Sequence, residues 1–238
     1  DKLAAGKYSA VTIMYNESTT GLTNPVYQIS EMMKDKYPDV LVFVDAVSAM
    51  IGLPMHFDDL GWDVAFASVQ KAFAIPPGLA VAAVSNRALE KSRTVPGRGY
   101  YFDFQQFAKS AEKNQTPTTP AIPHIMALNY QCEKLVAEGM ENVWKRHKEM
   151  GDFVRAWAKE KFDLFCEEQY ASNTLTTIKN TRGINVADVI KAIQAKHNTA
   201  FGNGYQKLKE VTFRIAHMGD ITLDELKELL AWIDDEIS

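Results

Sequence analysis

The first half of the chain alternates short apolar runs with one amphipathic stretch. Residues 26–36 have the apolar spacing of a helix, which ends before Pro38. Short buried strands are predicted for residues 8–15 (YSAVTIMY), 40–44 (VLVFV), 63–68 (DVAFAS) and 79–84 (LAVAAV). Continuous apolar runs of this kind are typical of central strands in parallel sheets. The strand–helix–strand order therefore predicts a layered α/β domain.

The second half has a different pattern of residues, which predicts a second structural unit. Prolines and threonines in residues 94–124, notably in NQTPTTP, exclude a long helix there. The elements predicted after this segment are a long helix over 123–149 that bends at Gly139, a helix over 150–161, a strand over 173–179 in which polar and buried positions alternate, a helix over 186–196, a strand over 211–217 and a helix over 222–236. Thr222 followed by Glu225 predicts a capping box at the start of the last helix.

Composition and charge narrow the class of protein. Hydrophobic residues make up 46% of the 238 and charged residues 24%, as in ordinary globular proteins. With 26 Lys and Arg against 30 Asp and Glu, the net charge of −4 predicts no nucleic-acid partner and no polybasic membrane contact. No apolar run approaches the roughly 18 residues of a membrane span. Cys132 and Cys166 lie far apart without a partner motif, so neither a disulfide framework nor a metal site is supported.

Asp45 and Lys71 are the first candidates for chemistry, because each follows an apolar run. Asp45 comes directly after VLVFV, and ligands of open α/β sheets bind beyond the carboxyl ends of the strands. Lys71 lies in the apolar segment SVQKAFAIPPG, where a partly desolvated amine becomes a better nucleophile. The alternatives are an acid that caps a loop and a lysine that extends from a strand end to solvent.

Arg214 is the third candidate, since it interrupts the apolar strand VTFRIAH. An arginine in such a strand indicates a bidentate contact with a carboxylate or phosphate, either in a ligand or in an internal ion pair. Taken together, the three residues match the needs of pyridoxal 5'-phosphate (PLP). This cofactor needs a lysine for its Schiff base and an acid that keeps its pyridine nitrogen protonated.

Three segments carry a resemblance to a known family. VDAVSAMIGLP…DVAFASVQKAFAIPPGLAVAAVS, YNESTTG near the start and FRIAHMGD near the end resemble class V PLP-dependent aminotransferases of the alanine–glyoxylate and serine–pyruvate group. The resemblance runs through nearly all of the chain. It implies fold-type I, with the C-terminal portion of the large PLP-binding domain over residues 1–138 and a smaller α+β domain over 139–238. It also implies transamination between alanine or serine and a 2-oxo acid such as glyoxylate or pyruvate.

The resemblance also implies roles for particular side chains. Lys71 is similar to the lysine that forms the Schiff base and moves the proton, and Asp45 to the acid at the pyridinium nitrogen. Arg214 is similar to the arginine that binds the substrate α-carboxylate. The remaining cofactor contacts that it implies are the ring-facing Val47, Ser18 near the ring hydroxyl, and the phosphate contact Gln70. A core valine and a loop N-cap are the alternatives for Val47 and Ser18.

NQTPTTP resembles the family's loop that reaches the cofactor phosphate of a neighbouring subunit. Thr116 and Thr119 are the expected hydroxyl donors there, with Gln115 or Thr118 assisting. Tyr100 and Tyr101 are expected in the same dimer-facing region. The resemblance thus implies a homodimer with shared active sites, while a proline-rich surface turn is the alternative for the loop.

Differences from the motifs of related enzymes narrow the choice of subgroup within the family. Cysteine desulfurases of this class place a His directly before the lysine, where this chain has Gln70, and neither Cys132 nor Cys166 suits their mobile cysteine. Phosphoserine aminotransferases share the NQTPTTP-like loop and stay an alternative, although RIAHMGD favours the alanine–glyoxylate group.

The start of the chain also departs from the family pattern. The chain begins at Asp1 and soon enters a predicted strand, so we expect it to lack the family's N-terminal third, which holds the phosphate-cradling turn. Weak or absent PLP binding by these 238 residues is the corresponding hypothesis. The second function to consider is therefore a non-catalytic chain that keeps the dimer surface. The sequence leaves the localisation open, because a targeting signal would precede Asp1.

Overall fold

Two four-stranded sheets organise the chain in the computed structural model, which describes residues 2–238. A two-stranded ribbon interrupts the first of these sheets in the sequence, between its first two strands. The strands, in chain order, are β1 (Ala10–Met14), β2 (Asn16–Glu17), β3 (Leu22–Thr23), β4 (Leu41–Asp45), β5 (Val64–Ser68), β6 (Ala80–Val84), β7 (Asp163–Leu164), β8 (Leu175–Lys179), β9 (Gly202–Asn203) and β10 (Thr212–Ala216).

The helices fall between and after these strands. They are α1 (Val26–Lys36), α2 (Phe57–Leu60), α3 (Asn86–Ser92), α4 (Phe104–Ala111), α5 (Ile122–Glu138), α6 (Met140–Lys161), α7 (Val186–His197) and α8 (Leu223–Ile237). The predicted helix over 26–36 is confirmed, and so is the capping box of α8, formed by Thr222 and Glu225. Within residues 2–238, no helix combines the length and apolar character needed to span a bilayer.

The first sheet has the strand order β1-β4-β5-β6. β1, β4 and β5 are parallel, so their carboxyl ends meet at one edge of the sheet. β4 is almost entirely buried, as its continuous apolar sequence predicts, and Asp45 is its last residue rather than the first residue after it. The predicted α/β class is confirmed, with a mixed sheet in which one strand runs against the others.

β6 corrects one prediction from the sequence. LAVAAV was expected to form a buried strand, but Ala80 and Ala82 are exposed and the strand is antiparallel to β5. The short connection through Pro76, Pro77 and Gly78 explains the direction, because a tight turn joins antiparallel neighbours whereas parallel strands need a long crossover. β6 is an edge strand among the described residues, which accounts for its exposure.

The helical region after residue 120 differs from the prediction at its boundaries. α5 ends at Gly139, which takes a φ of 84°, and α6 then continues without interruption to Lys161. The separate helix predicted over 150–161 is therefore wrong, since it is the second half of α6. The eight-residue α4 was not predicted within residues 94–124, and Asp103 caps it by accepting from the Gln105 N–H at 3.0 Å.

The second sheet is antiparallel in the order β7-β8-β10-β9. β10 is central, and Arg214 lies opposite Thr177 of β8 and Gly202 of β9. β8 was expected to alternate polar and buried positions, but its first four residues are all buried. The threonines of β8 are thus enclosed because the sheet is covered on both faces by other parts of the chain.

Each sheet has its own hydrophobic core. The first core includes Val44, Trp62 and Ala65, and the second includes Phe213 and Ile233. Helix α6 contributes to both, through Val143 in the first core and Met150 in the second. The predicted division at residues 138 and 139 stays a prediction, and α6 is the helix that would join the two units.

Candidate active site

Lys71 lies in a short turn that follows β5 at the carboxyl edge of the parallel strands. Its N–H donates to the Ser68 carbonyl at 3.3 Å, and its carbonyl accepts from the Ala74 N–H at 2.9 Å. Ala74 takes a φ of 55°, which allows the chain to turn back towards β6. The side chain of Lys71 is half-buried, so its amine is partly shielded while it remains accessible.

Arg214 extends from the central strand of the second sheet. Its Nε–H donates to the Asn203 carbonyl at 3.0 Å, and its guanidinium carbon lies 3.6 Å from the centroid of the Tyr205 ring. Among residues 2–238, no carboxylate lies within 4.0 Å of the guanidinium nitrogens. The internal ion pair considered for this arginine is therefore not formed by the described residues.

One cavity of about 830 Å³ collects four of the predicted site residues. Ser18, Gln70, Lys71 and Arg214 all line it. Its wall is completed by apolar side chains that include Leu175, Phe201 and Trp232, and by carboxylates such as Asp220 and Glu225. The cavity thus places an amine and a guanidinium against a largely apolar wall, which is the setting in which a small carboxylate ligand can be bound and reacted.

Asp45 and Val47 lie beside this cavity without lining it. Asp45 ends β4 between Met14 of β1 and Phe66 of β5, and its Oδ1 accepts from the Val47 N–H at 3.0 Å. Both side chains are half-buried. The same loop contacts Ser18, because the hydroxyls of Ser18 and Ser48 are 2.6 Å apart. The two residues are therefore neighbours of the cavity wall at the same edge of the sheet.

Residues 115–119 lie away from the cavity that contains Lys71 and Arg214. Gln115, Thr116 and Thr118 line a separate, open depression of about 650 Å³, and Thr119 is exposed beside them. The Thr116 hydroxyl donates to the Thr118 carbonyl at 2.6 Å, and Tyr100 donates to the Pro117 carbonyl at 3.0 Å. The structure does not bring this loop to the cavity of the same chain.

A buried clamp fixes the segment that follows β10. The Arg146 Nη1–H donates to the Gly219 carbonyl at 2.8 Å, and His147 Nε2 accepts from the Gly219 N–H at 3.1 Å. Since His147 Nδ1 donates to the Val143 carbonyl, the ring is held in one neutral tautomer. Burial lowers the pKa of His147, which keeps the ring neutral.

Gly219 in turn packs against the turn that carries Lys71. A Cβ atom added at Gly219 would lie 3.0 Å from the Ala74 Cβ and 3.5 Å from the Lys71 carbonyl oxygen. The φ of +76° also favours glycine. The close approach of the two segments therefore sets Lys71 relative to the end of β10.

His217 is the second buried histidine of this region. Its Nδ1 donates to the Asn173 carbonyl at 3.0 Å, and its Nε2 accepts from the Thr176 hydroxyl at 2.8 Å. Burial, aided by the nearby Arg155 guanidinium, lowers the pKa of His217 to about 3. Its role is to join β10 to β8 through a neutral ring.

Sequence reasoning missed the residues that surround Arg214. Tyr205, Asn203 and Gly202 lie in a segment that carries no known motif for this chemistry. The available signal was the turn-forming run Gly-Asn-Gly over 202–204, which precedes VTFRIAH and predicts a tight return of the chain towards that strand. In the structure the chain makes this return, and β9 pairs with β10.

Comparison with known proteins agrees with this fold. The profile of the family described as aminotransferase class-V matches residues 1–206, so the chain belongs to the class V aminotransferases. This class in general uses PLP. The predicted family is thereby confirmed.

Three curated relatives are about one third identical to the chain over the aligned residues. An uncharacterised aminotransferase of Methanocaldococcus jannaschii is 35% identical over 228 residues, covering 94% of this chain and 59% of that protein. Serine–glyoxylate aminotransferase of Methylorubrum extorquens is 32% identical over 240 residues, covering 96% and 58%. The L-aspartate–glyoxylate aminotransferase of Paracoccus denitrificans is 31% identical over 215 residues, covering 89% and 54%. The chain thus spans between half and three fifths of their lengths.

Solved structures share the fold. An alanine–glyoxylate aminotransferase from Nostoc sp. superposes with a TM-score of 0.92 at 23% identity, covering all of this chain and 64% of that one. A phosphoserine aminotransferase from Cytophaga hutchinsonii has a TM-score of 0.88 at 26% identity, covering 98% and 64%. The predicted fold-type I architecture is therefore confirmed.

Proposed function

We propose that the protein catalyses PLP-dependent transamination between a small amino acid, alanine or serine, and a 2-oxo acid, glyoxylate or pyruvate. The observation that carries the proposal is the convergence of Lys71 and Arg214 on one cavity. Transamination needs an amine that can bind the cofactor and a cation that can bind the substrate carboxylate, and this cavity offers both. Curated relatives described as serine–glyoxylate aminotransferases support the choice of substrates.

The residues present fit the cofactor in their chemistry. Lys71 would hold it covalently through its amine, and Asp45 would bind the pyridine nitrogen, with Val47 against the ring. Ser18 would lie near the ring hydroxyl, and Gln70 near the phosphate. Asp45 Oδ1 accepts a hydrogen bond from the Val47 N–H, which fixes the orientation of the carboxylate at the edge of the sheet. This contact supports the assignment. When bound, PLP supplies an electron sink for the charge that develops as the substrate Cα loses its proton.

Lys71 has a second task in this proposal. Its Nζ would also act as the base that removes the proton from the substrate Cα and as the acid that later returns a proton. The turn between Ser68 and Ala74 supports the task, because hydrogen bonds of the Lys71 N–H and carbonyl fix the backbone position from which its side chain extends.

Arg214 binds the substrate α-carboxylate in this proposal. A guanidinium offers two parallel N–H donors to the two carboxylate oxygens, which fixes the orientation of the amino acid as well as its position. The same contact would hold the 2-oxo acid in the second half of the reaction, since both substrates carry this carboxylate. The largely apolar remainder of the wall suits the short side chains of alanine and serine.

We further propose that the protein is a homodimer in which residues 115–119 serve the neighbouring subunit. Gln115, Thr116 and Thr119 would then contact the phosphate of the partner's cofactor. Two observations support the proposal: the loop is exposed and does not line the cavity of its own chain, and Tyr100 ties it to a stretch of exposed aromatic side chains.

The test of the proposed function is an assay of alanine and serine against glyoxylate and pyruvate with added PLP. Lys71→Ala should lower turnover by at least about a hundredfold, because it removes both the covalent anchor and the proton carrier. Lys191→Ala, at an exposed position of α7, is the matched control. Retained transamination in Lys71→Ala would contradict the assignment. No turnover and no PLP absorbance in the unaltered protein would favour the non-catalytic alternative.

A further inference from the structure

A short segment around β9 surrounds the Arg214 guanidinium on several sides. The Asn203 carbonyl accepts from Nε at 3.0 Å, and the Tyr205 ring covers one face of the guanidinium at 3.6 Å from its centroid. Gly202 lies directly across the strand pair from Arg214. We call residues 202–205 the arginine cradle.

These contacts use one N–H donor of the guanidinium and leave the others available. Nε is used by the Asn203 carbonyl, whereas no hydrogen bond from residues 2–238 occupies the two terminal nitrogens. These terminal nitrogens are the pair that can bind both oxygens of one carboxylate. The aromatic face adds a cation–π contact, which strengthens as the site loses water. The cradle therefore holds the arginine by the parts that a carboxylate would not use.

Gly202 provides the space that this arrangement needs. A Cβ atom at this position would lie 3.0 Å from Nη2 and 3.3 Å from the guanidinium carbon of Arg214. The backbone of Gly202 is not in the left-handed region, so other residues could adopt its conformation. Space for the guanidinium, rather than backbone freedom, is thus the requirement for glycine here.

The cradle is itself held by side-chain contacts. Asn203 Oδ1 accepts from the N–H groups of Gly204 at 2.7 Å and Glu210 at 2.9 Å, and its amide donates to Glu210 Oε1 at 2.5 Å. The other oxygen of Glu210 accepts from the Val186 N–H at the start of α7. The segment is therefore anchored before any ligand binds.

We propose that Tyr205 is a positioning residue that, with Gly202 and the Asn203 carbonyl, orients Arg214 for a carboxylate substrate before that substrate binds. The proposal rests on the proposed function, since it assigns a device to the same site. An arginine that is already oriented loses less side-chain freedom on binding, and this raises its affinity for the carboxylate. Tyr205 is about half exposed, so its aromatic ring contributes little to the core and is available for this role.

The test compares Tyr205→Leu, Tyr205→Phe and the control Tyr170→Leu, which makes the same change at a similarly exposed position. Propionate, a carboxylate that cannot react, is titrated against each protein and binding is followed by tryptophan fluorescence, because Trp232 lines the cavity. Loss of the aromatic face in Tyr205→Leu should raise the propionate Kd about five- to twentyfold. Tyr205→Phe and Tyr170→Leu should stay within about twofold.

The kinetic measurement should show the same pattern. Tyr205→Leu should raise the KM for both the amino acid and the 2-oxo acid, with kcat changed much less, because the tyrosine acts on carboxylate binding and not on proton transfer. Gly202→Ala is the second variant and should also raise both KM values by displacing the guanidinium. Since its backbone can adopt the native conformation, it keeps the proposal testable if Tyr205→Leu fails to fold.

Arg214→Leu separates the proposal from the function on which it rests. If Arg214→Leu weakens propionate binding while Tyr205→Leu and Gly202→Ala leave it unchanged, the positioning role is wrong and the carboxylate site stands. If propionate binds with the same affinity with and without Arg214, the carboxylate site itself fails, and the role of Tyr205 fails with it.

Discussion

Arg214 and Lys71 differ in how their surroundings prepare them. Lys71 is held through its backbone, by the turn between Ser68 and Ala74, and within residues 2–238 its amine has no hydrogen-bond or ion-pair partner. Arg214 is held through its side chain, by the Asn203 carbonyl and the Tyr205 ring. The difference suits the proposed tasks, since a lysine that exchanges partners must move whereas a carboxylate receptor benefits from being fixed.

The buried histidines predict how stability depends on pH. The unfolded-state pKa of His217 is near 6.5 and burial lowers the folded-state value to about 3. The unfolded chain therefore binds more protons between these values, so folding stability falls as the pH decreases below about 6.5. The expected slope is about 1.4 kcal/mol per pH unit for each such histidine, and His147 adds to it.

Denaturant unfolding of His217→Asn between pH 7.5 and 5 checks this expectation, in the range above the usual carboxylate pKa values. The variant should show a shallower dependence on pH than the unaltered protein, whatever its stability at pH 7.5. His56→Asn, which removes one exposed histidine, is the control. Equal slopes for His217→Asn and the unaltered protein would show that His217 is not held neutral.

At the residue scale, sequence reasoning works where a residue carries its own signal. Asp45, Lys71 and Arg214 interrupt apolar runs, so their positions are informative without a structure. Tyr205 has no such signal, because its relevance comes from a stacking contact across a turn. Gly202 could be assigned to a turn from its neighbours, but the nearby guanidinium is visible only when the strands are paired.

At the element scale, the turn that carries Lys71, after β5 of the first sheet, contacts the segment that follows β10 of the second sheet. This contact relates the position of Lys71 to that of the strand that carries Arg214. Arg146 and His147, adjacent on α6, bind the carbonyl and the N–H of Gly219. Lys134 of α5 also pairs with Asp220 at 2.8 Å. Helices α5 and α6 thus fix the segment against which the Lys71 turn rests.

Gly219→Ala tests this contact, and Gly183→Ala provides a matched control. Both glycines have a positive φ, so both substitutions carry the backbone cost of about 1–2 kcal/mol. An added Cβ meets the Lys71 turn at Gly219 and open space at Gly183. Gly219→Ala should therefore lower kcat by about tenfold or more through misplacement of Lys71.

The expected result for Gly183→Ala is a loss of stability with kcat retained. Chemical denaturation measures the first quantity and steady-state kinetics the second. Similar kcat values for the two variants would show that the Gly219 contact does not position the lysine.

The elements themselves could largely be predicted from the sequence. The spacing of apolar residues gave α1 its observed limits, and Thr222 with Glu225 marked the start of α8. The predictions that were wrong concern the burial of β6, the alternation expected in β8 and the boundary within α6. Neither the direction of a strand nor the continuity of a helix is determined by local periodicity, since both depend on which neighbour the segment packs against.

At the scale of the whole molecule, an exposed apolar face is the main feature left without a partner among the described residues. The face is formed by Met126 (68% exposed) and Tyr130 (65%), which lie one turn apart on α5, and Val136 of the same helix (77%) and Phe102 (80%) are also exposed. Side chains of this size are seldom exposed together on a monomer, and such a face indicates contact with another protein. The loop that we propose serves the neighbouring subunit leads into this helix, and Ile125 of α5 lines the same depression as Gln115 and Thr116.

Met126→Glu tests the proposed homodimer. A charge at the centre of an apolar interface is costly to bury, so the variant should shift the protein towards monomer. Met32→Glu makes the same change at an exposed position of α1 outside this face. Analytical ultracentrifugation at several concentrations measures both. A dimer that persists equally in the two variants would place the interface elsewhere.

The central claim is that Lys71 is the lysine that holds the cofactor. Its most direct test is to mix the protein with excess PLP, reduce with borohydride, and map the modified lysines by peptide mass spectrometry. Reduction makes the bond permanent, so the experiment also detects weak binding. The account predicts a phosphopyridoxyl group mainly on Lys71, lost in Lys71→Ala without an increase at other lysines. Modification spread over the exposed lysines, and unchanged in total in Lys71→Ala, would contradict it.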